Sequence, residues 1–224
     1  METRTKPTRR VSKTGPIHEL DHPLARHYLT QLRAAATPPA EFRRLTHHLA
    51  SLLAFEATKD LAEERVEIQT PLAAATGSVL RQRIGLVPIL RAGLGMVDPI
   101  LDLIAEAEVW HLGIYRDEAT KQPVEYYSRL PATEPVDVAL VLDPMLATGG
   151  SVLAALTTLR DWGVPTIKVL SVIASREGLQ EVETQFPDAL VYVCAVDPDL
   201  NDRKFIVPGL GDAGDRIFNT PPRG

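Results

Sequence analysis

Cysteine occurs once in the 224 residues, at Cys194, which excludes an internal disulfide framework and fits a reducing compartment. No apolar run approaches the roughly 18 residues that a membrane-spanning helix needs. Positive charge is not in excess. The 24 lysines and arginines are outnumbered by 29 acids, and a net charge of -5 argues against a nucleic-acid binder, which carries a basic surplus. Repeats and low-complexity tracts are missing as well. What is present, 45% hydrophobic and 24% charged residues, suits a globular chain with a real core. The length fits one large domain, or one domain with an appendage.

The opening residues, METRTKPTRRVSKTG, are basic and polar with no apolar segment behind them, so they do not read as a secretory signal. A flexible basic arm over residues 1–21 is the expectation, with a mitochondrial presequence as the alternative. Residues 22–224 are then a single domain in the cytoplasm. Pro23 to Leu61 reads as helical, with Phe42, Leu45, Leu49, Leu52 and Leu53 forming a core-facing stripe. A short strand over Arg65 to Gln69 precedes a loop of threonine, proline, alanine and glycine around residues 70–83.

From Ile84 the pattern changes to apolar strands alternating with amphipathic helices. IGLVPIL (84–90), VWHLGIY (109–115), VALVLD (138–143), IKVLSVI (167–173) and LVYVCAV (190–196) are the expected strands. Continuous apolar runs suit strands buried on both faces of a parallel sheet. Val152, Ala155, Leu156 and Leu159 give the helix after Ser151 one apolar face, and Gly163 with Pro165 stops it. The order strand–helix–strand predicts an α/β fold, an open and mostly parallel sheet flanked by helices. Ligands bind such sheets at the strands' carboxyl ends.

Two motifs mislead. His18-Glu19-Leu20-Asp21-His22 matches the zinc-protease pattern H-E-x-x-H, which needs both histidines on one face of a continuous helix. Pro23 follows the second histidine directly and disfavours helical geometry there, so a zinc site is rejected. Gly209-Leu210-Gly211-Asp212-Ala213-Gly214 matches the dinucleotide fingerprint G-x-G-x-x-G, which needs a helix and a second strand after it. Only ten residues follow Gly214, so a nicotinamide site is rejected too.

The stretch VALVLDPMLATGGS (138–151) is different. Asp143 ends a central strand, and Thr148 to Ser151 open a helix. The amides of Gly149, Gly150 and Ser151, with the Thr148 and Ser151 hydroxyls, make an anion site favoured by the helix dipole. A triphosphate loop carries G-K-[ST], yet no lysine lies between Asp143 and Ser151. A single phosphate is therefore indicated. An acid just before a phosphate cradle suits sugar hydroxyls, and the two together describe a ribose 5-phosphate site.

This stretch resembles the phosphoribosyl diphosphate (PRPP) motif of the type I phosphoribosyltransferases. Its Asp-Pro form, DPMLATGGS, is similar to that of the uracil phosphoribosyltransferases. The resemblance extends through HPL at His22, SLLAFEATKDL (51–61), VPILRAGLGM (87–96), GIYRDE (113–118) and IVPGLGDAGDRIF (206–218). It implies N-terminal helices and a β-hairpin hood over about 116–130 added to the α/β sheet. It implies transfer of ribose 5-phosphate from PRPP to N1 of uracil, giving UMP and diphosphate. PRPP falls to Arg91, Arg116, Asp143, Pro144, Met145, Leu146, Ala147, Thr148, Gly149, Gly150, Ser151 and Asp212. Uracil falls to Ile206, Gly211, Asp212 and Ala213, within a base-binding segment over about 204–218.

The resemblance assigns catalysis to Asp143, Arg116 and Asp212. Asp212 also faces a PRPP-bound Mg2+ ion through water, and GTP is an activator of some relatives. The implied partners are uracil, PRPP and further copies of the chain, with neither nucleic acid nor membrane. Two other readings are open, a UMP-sensing RNA-binding regulator on the same fold and a phosphoribosyltransferase for another base.

Phe205 and Phe55 stand where the family usually has tyrosine. Phenylalanine keeps the packing ring and gives up one hydroxyl. Phe205→Tyr is expected to change the apparent uracil affinity by less than about tenfold, the worth of one ordinary hydrogen bond; steady-state kinetics with uracil varied checks it.

Overall fold

The computed structural model describes residues 17–116, 123–128, 130–131 and 133–221; for residues 114–116 and 123–128 the backbone alone is described. The described residues begin in a strand, β1 (Ile17–Glu19), so the last part of the arm expected over 1–21 belongs to the sheet, and residues 1–16 of it lie outside the described residues. Helix α1 (Pro23–Arg33) follows, with Pro23 in its first turn and the His22 ring Nδ1 accepting from the Leu24 amide at 3.1 Å. Its buried stripe is Ala25, Leu29 and Leu32. Helix α2 (Pro39–Ala57) buries Phe42, Leu45, Leu49 and Leu53. The helical stretch expected over Pro23 to Leu61 is therefore two helices. Pro38 and Pro39 break it, because proline lacks the amide that a helix interior needs and disfavours helix before it.

Strands β2 (Glu63–Gln69) and β3 (Ala74–Leu80) form an antiparallel hairpin of their own. Half of the loop expected over 70–83 is thus strand, an exposed one with no buried face to betray it. The main sheet then assembles from β4 (Ile84–Pro88), β5 (Glu108–Val109), β8 (Val138–Leu142), β9 (Met145–Leu146), β10 (Thr166–Ser175) and β11 (Leu190–Asp197). With β1 it has seven strands in the order β1-β11-β10-β8-β4-β5, and β9 pairs with β10. Every pairing in it is parallel.

The run expected as one strand over 109–115 is split. Val109 ends β5 in the main sheet, while Leu112 starts β6 (Leu112–Arg116), which pairs antiparallel with β7 (Pro123–Ser128). Two short strands, β12 (Asp199–Leu200) and β13 (Ile206–Val207), pair beyond the sheet.

The sheet divides two cores, as alternation along each strand requires. In β8, Val138, Leu140 and Leu142 enter the core under α1 and α2, while Ala139 and Val141 enter the opposite one. That opposite core is closed by α4 (Gly150–Trp162) and α5 (Arg176–Gln185). Helices α3 (Val97–Leu101) and α6 (Ala213–Phe218) contribute Ile100 and Ile217 to the first. Each leucine or valine so buried contributes roughly 1.5–3 kcal/mol against the cost of ordering the chain. Lys168 interrupts the apolar run of β10 and is itself buried, its Nζ donating to the Ala57 carbonyl at 2.6 Å and pairing with Asp60.

Between β4 and α3 the chain makes a 3-10 turn (Ala92–Met96) pressed against β8. A Cβ on Gly93 would lie 2.3 Å from the Leu142 carbonyl oxygen and 3.1 Å from the Pro88 Cα. Gly93→Ala is expected to destabilise the fold by about 1–3 kcal/mol, as overpacking does, read from urea unfolding as a lower midpoint at unchanged slope.

Candidate active site

Parallel pairing places the carboxyl ends of β4, β8, β10 and β11 along one edge, where Asp143 follows β8 and Arg91 lies just beyond β4. Asp143 follows β8 directly, its amide donating to the Leu170 carbonyl at 3.2 Å. The Pro144 carbonyl accepts from the Val172 and Ile173 amides, both at 3.1 Å, which anchors the turn to β10. Met145 and Leu146 form β9, and Ala147 carries the chain to Thr148 and Gly149.

Gly149 is the residue before α4 and has φ of +83°, where a side chain is strained. No side chain caps α4 there. The first-turn amides of a 13-residue helix thus face the loop together with the helix dipole. Asp143 and Met145 to Val152 enclose a cavity of about 70 Å3. This is several times the roughly 10–15 Å3 that admits one water by the same measure. A larger cavity of about 670 Å3 lies between β1 and the end of α2 and shares no residue with this loop.

The electrostatics of the loop are unbalanced. Asp143 keeps some exposure toward the cavity, yet protein packed around its carboxyl desolvates it and pushes its pKa up to about 7; the Met145 amide, 3.3 Å from Oδ1, opposes the shift only in part. Ser175, which the sequence reading did not single out, braces the loop. Its buried hydroxyl donates to the Ala147 carbonyl at 2.6 Å and accepts from the Gly178 amide at 2.9 Å. A Cβ on Gly178 would strike the Ala147 oxygen at 2.2 Å.

Arg91 follows β4, and the Ile89 amide ties that turn to the Leu142 carbonyl at 3.0 Å, beside Asp143. The peptide bond between Leu90 and Arg91 is cis. The Arg91 guanidinium is half exposed and reaches the carboxy-terminal segment, with Nη2 2.8 Å from Asp215 Oδ1 and Nη1 3.3 Å from the Thr220 hydroxyl. Arg91 therefore joins the turn after β4 to the segment expected to hold the base. Arg116 ends β6, and its side chain lies outside the described residues, as do residues 117–122 of the expected hood.

In the carboxy-terminal segment, Ile206 is buried in β13, and the Val207–Pro208 bond is cis. Gly209 and Gly211 take φ of +62° and +78°. Asp212 is exposed and caps α6, its Oδ1 accepting from the Asp215 amide at 2.9 Å, while Ala213 is buried as the first residue of that helix. Phe205 is half-buried, with the Arg203 guanidinium 5.8 Å from its ring centre. Among the described residues Gly214 is the second residue of the six-residue α6 and no strand follows that helix, so the strand that a dinucleotide fingerprint needs is not found there.

The zinc reading fails on geometry too. His18 and Glu19 lie in a strand and His22 caps a helix, and no cluster of metal-binding side chains occurs among the described residues. No helix among those residues is long and apolar enough to cross a membrane.

An open parallel sheet flanked by helices, with a carboxylate closing a central strand before an uncapped helix start, matches the type I phosphoribosyltransferase class. Within that class the chain belongs to the uracil phosphoribosyltransferase family, whose model matches residues 19–220. A uracil phosphoribosyltransferase of Roseiflexus sp. (strain RS-1) is 56% identical over 199 residues, covering 89% of this chain and 96% of that one. One from Geobacillus kaustophilus is 50% identical over 207 residues, covering 92% and 99%. The solved AQ2163 protein of Aquifex aeolicus superposes with a TM-score of 0.85 at 38% identity, covering 90% of this chain and 97% of that one. The RNA-binding regulator and the other-base enzyme gain no support from these relatives.

A carboxyl whose pKa rises on folding from 3.8 to about 7 stabilises the fold fully below the lower value. That contribution is lost as pH climbs through 7. Asp143→Asn is therefore expected to stabilise the ligand-free protein at pH 8, by on the order of 2–4 kcal/mol, with the gain fading toward pH 4. The same variant is expected to lose most turnover with PRPP. Thermal melts across pH, paired with kinetics, check both; wild-type-like turnover would remove Asp143 from the sugar site.

Proposed function

We propose that this chain transfers ribose 5-phosphate from PRPP to N1 of uracil, giving UMP and diphosphate. The reading is carried by the desolvated Asp143 carboxylate beside the uncapped start of α4, in a chain of this family. Thr148 to Ser151 hold the 5-phosphate through backbone amides and hydroxyls. Asp143 accepts hydrogen bonds from the ribose hydroxyls, which compensate its poor solvation. Pro144 to Ala147 set the spacing between the two.

In the reaction the bond from ribose C1 to a diphosphate oxygen breaks and the bond from C1 to uracil N1 forms. The transition state is cationic at the sugar, and the N1 proton is lost late or to solvent. Negative charge grows on the leaving diphosphate. Arg91 and Arg116 meet that charge, and a guanidinium stabilises it more in the transition state than in the ground state. Each charge-assisted contact contributes roughly 1.5–3 kcal/mol. The base is read by backbone groups of Ile206, Gly211 and Ala213 against uracil N3–H, O2 and O4. Cytosine presents a donor at position 4 and leaves a buried group unpaired, at a cost of about 1–3 kcal/mol.

Magnesium belongs to this reading as the companion of PRPP. The ion keeps most of its waters and takes one or two carboxylates beside substrate phosphates. The exposed Asp212, with Oδ1 engaged in capping α6, is a donor suited to contact through water. When bound, the ion neutralises charge on the diphosphate. Closure of the β6–β7 hairpin as a hood, homo-oligomer formation, cytoplasmic location and activation by GTP complete the reading.

The test is formation of UMP from uracil and labelled PRPP, with cytosine and hypoxanthine as alternative bases. UMP is expected from uracil alone, with activity abolished by EDTA, restored by magnesium and raised by GTP. Equal use of hypoxanthine, or no UMP at all, would overturn the assignment.

A further inference from the structure

Arg33 and Asp197 carry no role in the chemistry above. Arg33 ends α1 and Asp197 ends β11, and they meet across 164 residues of chain. Their ion pair is two-pronged, with Nη2 to Oδ1 at 2.7 Å and Nη1 to Oδ2 at 2.8 Å, and the side chains are 22% and 6% exposed. The pair holds a third residue as well. Arg33 Nη1 donates to the Gly209 carbonyl at 2.9 Å, and the Gly209 amide donates to Asp197 Oδ2 at 3.0 Å. Both polar groups of one backbone residue are thus gripped by one ion pair.

Gly209 has φ of +62°, and a Cβ there would fall 2.0 Å from the Ile206 carbonyl oxygen. It lies between Ile206 and the Gly211–Ala213 run, the positions proposed above to read the base. Arg216 adds a second grip on the neighbouring residue. Its Nη1 donates to the Leu210 carbonyl at 2.8 Å and the Leu32 carbonyl at 3.0 Å, and its Nη2 donates to the Ala34 carbonyl at 2.7 Å.

We infer that Arg33 and Asp197 are positioning residues for base recognition, orienting the backbone groups that distinguish uracil. The inference rests on the function proposed above. Recognition through peptide groups has no side-chain rotamer to adjust, so its accuracy is that of the backbone. Two left-handed glycines in three residues supply no stiffness of their own. A planar guanidinium paired in two places with a carboxylate has a fixed orientation and passes it to whatever else it holds.

The experiment compares wild type, Asp197→Asn and Arg33→Lys, the second retaining the charge without the fork. Steady-state kinetics with each substrate varied is combined with amide hydrogen exchange over residues 206–213. In both variants the uracil KM is expected to rise about tenfold or more, with kcat and the PRPP KM within about threefold, the pattern of lost binding to one substrate. Exchange over 206–211 is expected to quicken about tenfold while the amides of α4 stay unchanged, as a local opening requires. Arg33→Lys is expected to be the milder of the two and guards against failure of Asp197→Asn to fold.

Parallel rises in both KM values, or unchanged exchange in an active protein, would overturn the positioning role alone. A wild-type chain that makes no UMP would overturn the functional reading and this role with it.

Discussion

The structure depends on parallel pairing of strands buried on both faces. Parallel strands point their carboxyl ends the same way, so Pro88, Leu142, Ser175 and Asp197 finish along a common edge. Everything chemical follows from where the chain goes next. After β4 it turns to Arg91, after β8 to Asp143 and the loop that opens α4, after β10 to α5 beyond the Ser175 brace, and after β11 to the segment proposed to read the base. The alternation of leucines and valines through the two cores fixes this register, since a slip of one residue would exchange the cores. A site assembled from four strand ends therefore inherits the rigidity of the sheet rather than that of its own loops.

The loop itself is made of groups left wanting. The start of α4 has no side-chain cap, Gly149 sits in left-handed geometry, and the Asp143 carboxyl is poorly solvated. The uncapped amides and the poorly solvated carboxylate each lower the stability of the ligand-free protein. On the function proposed above, an anion would satisfy the helix amides and sugar hydroxyls would hydrate the carboxylate in place of water. Affinity would then be drawn from defects that the surrounding core is large enough to tolerate, the stability–function exchange expected of an active site. Ser175 and Gly178 limit the defects to one place by holding Ala147 from behind.

Much of this was legible in the sequence because burial on both faces leaves a coarse signature. IGLVP, VALVL and LVYVCAV are unbroken apolar runs, and DPMLATGGS follows one of them with a composition that suits an anion site. The misses share a different cause. AATGSVL forms β3 without an apolar face, held by its partner strand and by a turn in which the Thr70 hydroxyl accepts from the Leu72 and Ala73 amides. The break between α1 and α2 had a readable signal in Pro38-Pro39, outweighed by the leucine stripe around it. β1 is three residues long and owes its existence to β11, a partner more than 170 residues away that no local pattern discloses. Ser175, Arg33 and Asp197 are of the same kind, since polar residues at element ends look alike in a sequence whatever they bind.

That blindness to distant partners bears on the base segment most of all. β12 and β13 have two residues each and α6 has six, lengths at which neither a hairpin nor a helix is stable alone. Their order must be imported. It comes from the end of α1 through Arg33 and from α2 through Arg43, whose Nη1 donates to the Ile217 carbonyl at 2.8 Å. Arg216 completes the connection, its guanidinium lying 4.3 Å from the Phe42 ring centre while it holds four carbonyls, and burial shifts its pKa downward without removing its charge. A buried pair such as Arg33–Asp197 adds little net stability, yet removing one partner costs about 3–5 kcal/mol, which makes it a fastener more than a source of energy. The amino-terminal helices thus serve as the frame on which residues 206–218 are hung. The loop after β8 is positioned by the sheet and the carboxy-terminal segment by the helices together with the end of β11, and Arg91 with Asp215 ties the turn after β4 to that segment.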